Sequence, residues 1–203
     1  MAGEAWKADR ASFWPGAVFY VLYNYLIYVF AMPLNAAFLL HLVLVTLSVY
    51  TLMGLIAGID GEAVRQRLAG AVPERLAGGV LAGLGLLFLL QVIGAIIAAL
   101  SSQTSIAETE LALHVSDFMV APALVIGGVL LWRREEFGYV IGLGLLFQAS
   151  MLFIALIIFL LLQPLLTTAP FALVDIVVVS IMGLICFVPF GLFVRGVAAT
   201  GKR

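Results

Sequence analysis

Six runs of roughly twenty apolar residues, each closed off by polar, glycine or proline punctuation, govern what this chain can fold into. A bilayer core of about 30 Å is crossed by about 20 apolar residues in a helix. The runs cover residues 13–32, 34–59, 78–100, 111–132, 138–162 and 171–194 of a 203-residue chain. Backbone groups in lipid must be satisfied within the segment itself, so each run is a helix. The expected fold is an all-α, six-span transmembrane bundle occupying residues 1–203 as one domain. Composition closes off the alternatives: 65% of residues are apolar, 10% are charged and the mean hydropathy is +1.22. Soluble domains carry about 25% charged residues. A net charge of −1 and a single cysteine, Cys186, set inside an apolar run argue against a nucleic-acid partner and a disulfide framework.

Between the runs there is little chain. Residues 32–34 are barely a turn, 133–137 form a tight hairpin, and 60–77 and 101–110 read as loops. Lys7 and Arg10 precede span 1, but that span is too long for a signal-peptide core and lacks a convincing cleavage site, so it is expected to be retained.

Basic residues in short loops stay cytoplasmic during insertion. All 10 fall on one side of the predicted topology: Lys7, Arg10, Arg65, Arg67, Arg75, Arg133, Arg134, Arg195, Lys202 and Arg203. Both termini are therefore expected in the cytoplasm. Trp6, Trp14 and Trp132 fall at the same ends, where an indole prefers the headgroup layer.

Three pairs of glycines four apart, Gly54/Gly58, Gly79/Gly83 and Gly138/Gly142, lie in the predicted cytoplasmic halves and would let helices approach closely there. Pro15 and Pro33 are expected at helix starts, where a missing N–H costs little, and Pro189 inside span 6. The pentad Leu-Gly-Leu-Leu-Phe occurs at 84–88 and at 143–147. At that offset Asp117 and Asp175 nearly coincide, which would suit two parallel helical hairpins of common design, although a leucine-rich chain produces such matches by chance.

Polar side chains at membrane depth are costly and are functional candidates by default. At about 1.5 Å per residue, His41, Asn24 and Gln91 lie about 10 to 14 Å below the outer surface and Asp175 about 6 Å. His114 and Asp117 stand three apart, on one helix face near the same surface. The expectation is an outward-facing polar vestibule formed by Asn24, His41, Gln91, His114, Asp117 and Asp175. Each has a plainer reading. Asp117 and Asp175 suit helix N-termini as caps, and His41, with Ser48 on the same face, suits an interhelix contact. Tyr20, Tyr23 and Tyr28, with Asn24 and Tyr25, make span 1 tyrosine-rich. Such a stripe serves helix packing, or lines a site for a quinone, pigment or lipid.

Two histidines limit metal chemistry. A bis-His haem would need His41 and His114, whose depths differ. A zinc site of His41, His114 and Asp117, with Asp175 as a further oxygen, has acceptable ligand types. The chain has no nucleophile elbow, phosphate loop, dinucleotide fingerprint or cysteine pair, so the residues specify no cofactor.

Residues 117–140, which include Pro122, Gly127, Gly128 and the run Trp132-Arg133-Arg134-Glu135-Glu136-Phe137-Gly138-Tyr139, resemble the most recognisable segment of a group of uncharacterised prokaryotic six-span membrane proteins. The resemblance implies a six-span fold in a prokaryotic cell membrane and a lysine in the middle of span 5, where this chain has Gln148. It implies no activity. Three functions then compete: a small solute or proton transport protein; a non-catalytic accessory subunit, held in a membrane complex or as a homo-oligomer; and a membrane-embedded metal enzyme. In each case the lipid bilayer is a partner and any small-molecule ligand is unspecified.

Overall fold

The computed structural model describes the backbone of residues 2–32, 34–167 and 171–200, and side chains within these from Phe13 onward. Trp6, Lys7, Arg10, Pro33, Lys202 and Arg203 lie outside the side chains described. Seven helices follow in order: α1 (Ala2–Ala31), α2 (Ala36–Ala57), α3 (Gly61–Leu68), α4 (Glu74–Ser102), α5 (Glu108–Trp132), α6 (Glu136–Leu166) and α7 (Leu173–Thr200). All except α3 are long and apolar enough to cross a membrane. The chain is a multi-pass, all-helical membrane protein, as the apolar runs require.

Local chemistry sets the helix ends. Asn35 caps α2, its side-chain oxygen accepting from Ala37 N at 2.9 Å and Phe38 N at 3.1 Å. Helix α4 ends at Gln103, whose φ of 51° turns the chain out of the helix while its N–H returns to Ala99. Arg134, at φ 63°, makes the tight turn between α5 and α6.

Three expectations change. The stretch 60–77 is not simply a loop, because it contains α3. Asp60 caps this helix, accepting from Ala63 N at 3.1 Å, and Val64 and Leu68 turn inward to the core. The helix also carries Arg65 and Arg67, both half-buried, with Arg65 joined to Glu62 at 2.8 and 2.9 Å. Those bonds, with one from Gln66, hold the Glu62 carboxyl down at about 2. Pro15 does not start a helix: α1 begins at Ala2, and Pro15 is buried within it.

The third change concerns the glycines. Gly54 and Gly83 face open space, and Gly79 meets only the Trp132 ring. Of the three expected pairs, Gly138/Gly142 alone is engaged as a pair, against Leu131 of α5. Another close crossing is elsewhere, where α4 lies on α5: a Cβ on Gly78 would stand 2.5 Å from the Gly128 carbonyl oxygen. Gly16 of α1 and Gly144 of α6 make a similar crossing, at 2.7 Å. These approaches lie toward the α3 end of the bundle, the end expected to be tightest.

Helix α6 is the hub, packed by α1, α5, α7 and α3, while α4 and α5 form the most extensive single pair. Leu81, Leu124, Leu131, Leu143, Leu146 and Phe193 are fully buried around it. Helix α2 is the outlier: it rests on α1, and Ser48 alone of its residues is buried. Leu39, Leu47, Tyr50 and Met53 face outward from α2, as lipid-facing side chains do. The two copies of the pentad have unlike surroundings, since Gly85 packs on Ala121 and Leu124 of α5 whereas Gly144 packs on Gly16 of α1. Two equivalent hairpins would give them matching neighbours.

Candidate functional site

The charged chemistry at membrane depth gathers on α5. Glu110, His114 and Asp117 follow at intervals of four and three, so they share one face of the helix. Glu110 is 61% exposed at its side chain and His114 only 10%. Asp117 lies deeper along α5, part-buried, and accepts a hydrogen bond from the Tyr23 hydroxyl of α1 at 2.8 Å. Tyr23 is itself buried, 6% exposed. The result is a ladder of ionisable groups running from the exposed mouth of α5 down to an interhelical bond in the apolar interior.

The rungs are not equally closed. His114 Nε2 is buried without a hydrogen-bond partner. Glu110 Oε1 stands 3.7 Å from it, too far for a hydrogen bond but close enough for attraction to an imidazolium. The buried interior also holds Ser116 on α5 and Gln148 and Ser150 on α6, each with an unpaired side-chain oxygen. Gln148 lies one turn beyond Gly144, which touches α1, and so belongs to the α1 side of α6.

The other expected site residues do not join this ladder. Asn24 is part-buried and donates to the Tyr20 carbonyl of its own helix at 2.8 Å. His41 of α2 stacks on Tyr28, with centroids 5.2 Å apart and planes at 28°, and lies 5.7 Å from the Tyr25 ring. Tyr23 and Tyr25 are about 200° apart around α1, by 100° per residue, so His41 and Asp117 occupy opposite sides of that helix. Gln91 and Asp175 are exposed on the outside of the bundle. Thus the tyrosine stripe divides: Tyr23 serves Asp117, and Tyr28 serves His41. The vestibule drawn from all six polar residues is not assembled. Neither is the zinc set, since no group of three or more His, Cys, Asp or Glu side chains among the described residues is placed to hold one ion.

A second buried polar cluster lies at the α3 end. Glu74, 5% exposed at the start of α4, accepts from Gly70 N at 2.8 Å and from the Tyr139 hydroxyl of α6 at 3.0 Å, and Arg134 stands 3.8 Å from its other oxygen. Gly70 reaches this bond through a φ of 76°, which glycine adopts without steric cost. The cluster ties the α3–α4 turn to the α5–α6 turn and to the hub helix, which is a clasp rather than a reactive centre. Sequence reasoning passed over both residues. The available signal was a lone glutamate directly after Pro73, at the start of a long apolar run, where a carboxylate favours the helix N-terminus.

Compared with known protein families, curated proteins and solved structures, the chain matches none of them. Its chemistry must therefore be read from its own geometry.

Proposed function

We propose that this protein binds and transfers protons within the membrane, with Asp117 as the proton-accepting site. The observation that carries this reading is the ladder Glu110, His114, Asp117 and Tyr23, which descends from an exposed carboxylate to a part-buried carboxylate–phenol bond. Chains of Asp, Glu and His within membrane helices are the usual material of proton relays. A proton needs no open cavity, only hydrogen-bonding groups within reach of small side-chain rotations. That suits a site where His114 Nε2 has no acceptor of its own and Glu110 lies just beyond bonding range. Tyr23 donates to the charged form of Asp117 and so positions it. The basic residues of the loops support an orientation with both termini in the cytoplasm, which makes the Glu110 end the outer mouth. A larger solute has less support, because the cavities of 260 to 370 Å³ are lined by residues other than these.

One observation favours the alternative of an accessory subunit: nearly the whole surface of α2 is unburied, as it would be for a helix that docks on a partner.

The test is proton flux in proteoliposomes containing a pH-sensitive dye, driven by a potassium diffusion potential. Asp117→Asn should lower the flux by about a hundredfold or more, the scale of losing a positioned proton carrier. Tyr23→Phe should lower it less, and His41→Ala should leave it unchanged. Wild-type flux no faster than that of empty vesicles, or full flux in Asp117→Asn, overturns the proposal.

A further inference from the structure

Helix α2 stands over a crevice that it does not fill. Because it rests on α1, a cavity of about 260 Å³ is left between it and the neighbouring α5–α6 surface. Pro15 and Phe19 of α1, Leu52 and Ile56 of α2, Ala123 of α5 and Ile141 of α6 wall it, and among the described residues no polar side chain lines it. A second cavity, of about 370 Å³, shares Ile56 and Phe137 with the first and opens at the α3 end beside Gly61, Glu135 and Glu136. Apolar depth and polar mouth thus form one amphipathic cleft, on the scale of pockets that hold small ligands.

The mouth sets which amphiphile fits. Three carboxylates, Glu62, Glu135 and Glu136, surround one guanidinium, that of Arg65. Arg65 is already committed to both oxygens of Glu62, at 2.8 and 2.9 Å. Arg134 is turned to Glu74, and Arg133 is not among the residues lining the mouth. Among the described residues the local surplus is therefore negative, at an end of the molecule that is otherwise basic. An anionic headgroup, which clustered Lys and Arg would attract, is repelled here. A divalent cation has no suitable set of ligands among the described residues. A primary ammonium suits both the charge and the hydrogen-bonding capacity of Glu135 and Glu136.

We propose that the cleft holds a phospholipid with a primary-amine headgroup, its ammonium against Glu135 and Glu136 and one acyl chain in the apolar cavity beneath α2. The site is independent of the Asp117 ladder, so it stands or falls without the proton-transfer reading. The lipid completes the packing that α2 lacks and anchors that helix to α5 and α6.

Native mass spectrometry of the delipidated full chain tests it, using phosphatidylethanolamine, phosphatidylcholine and phosphatidylglycerol with identical dioleoyl chains. One phosphatidylethanolamine should be retained by the wild type at about tenfold or greater preference over phosphatidylglycerol. Glu135→Gln with Glu136→Gln should abolish the preference. Ala123→Phe, which fills the cavity, should abolish retention of every lipid while helicity persists by circular dichroism; Leu52→Trp on the loosely held α2 does the same task if that variant does not fold. Equal retention of the lipids by the wild type, an undiminished preference in the double glutamine variant, or a second copy of the chain in place of lipid overturns the proposal.

Discussion

The hydrogen bond from Tyr23 to Asp117 joins two helices 94 residues apart in sequence, and its strength can be measured apart from any role in proton transfer. In lipid the unfolded reference state also finds partners, so interhelical hydrogen bonds average about 0.6 kcal/mol and reach about 1.7. A double-mutant cycle with Tyr23→Phe and Asp117→Asn, read by unfolding in mixed micelles, should give a coupling within that range. A coupling of zero would show that the two side chains stand together without stabilising the fold. At Glu74 the stakes are higher. Replacing it by alanine strands the Gly70 N–H and the Tyr139 hydroxyl, which is buried with 0% exposure. Gly70 is exposed and its N–H can turn to water, but leaving the buried hydroxyl unsatisfied costs about 1 to 3 kcal/mol. Glu74→Ala should therefore destabilise the protein by about 1 to 3 kcal/mol, whereas Glu74→Gln, which keeps an acceptor in place, should lose less. Equal losses in the two variants would remove the clasp as an account of Glu74.

At the scale of helices, apolar length announces a span, but glycine spacing does not announce a contact. Gly54 and Gly83 belong to four-residue pairs and meet nothing within 4 Å, while Gly78, paired only by its place opposite Gly128, sits at the tightest α4–α5 crossing. A glycine pair specifies a smooth patch on one helix. Whether the patch faces a neighbour depends on the rotation of that helix about its axis, which tertiary packing sets. The same limit explains the polar residues. Sequence placed Asn24, His41, Gln91, Asp117 and Asp175 in one half of the membrane from rise per residue alone, yet rise says nothing of azimuth. Azimuth sends Gln91 and Asp175 outward and puts His41 and Asp117 on opposite sides of α1. His114 and Asp117 were legible as a pair because both lie on one helix. Tyr23 was legible only as part of a stripe, since its partner lies on another. Helix α3 was missed for a different reason: at eight residues it is shorter than the windows that reveal periodicity. Asp60 and the inward Val64 and Leu68 were its signs. The glycine contrast gives a prediction. Gly54→Ala and Gly83→Ala should be neutral or stabilising by up to about 1 kcal/mol through helix propensity. Gly78→Ala and Gly128→Ala should be destabilising, because each new methyl meets backbone atoms that cannot step aside. Thermal unfolding of the four variants in one detergent would order them, and a Gly78→Ala as harmless as Gly83→Ala would refute the packing described for α4 and α5.

For the whole molecule, the basic loops and the packing define the same two ends independently. Arg65, Arg67, Arg75, Arg133, Arg134 and Arg195 all flank helix ends on the side that holds α3. The close crossings Gly78–Gly128 and Gly16–Gly144, and the Glu74 clasp, lie toward that same side. At the other end are His114, whose Nε2 is buried without a hydrogen-bond partner, and the exposed Glu110. Under the proposed proton transfer, a bundle bolted at one end and polar at the other would admit protons from the looser end, so the direction of insertion would matter to that proposal. The single cysteine makes direction measurable. Cys186 is 2% exposed in α7 and should resist maleimide in the folded protein but react after denaturation. With Cys186→Ser as background, a cysteine replacing Ser102, at the far end of α4, should be labelled by a membrane-impermeant maleimide in intact cells. A cysteine replacing Arg133, in the α5–α6 turn, should be labelled only after the membrane is opened. The reverse pattern would place Glu110 on the cytoplasmic side, and the proposed relay would then have to draw its protons from the cell interior.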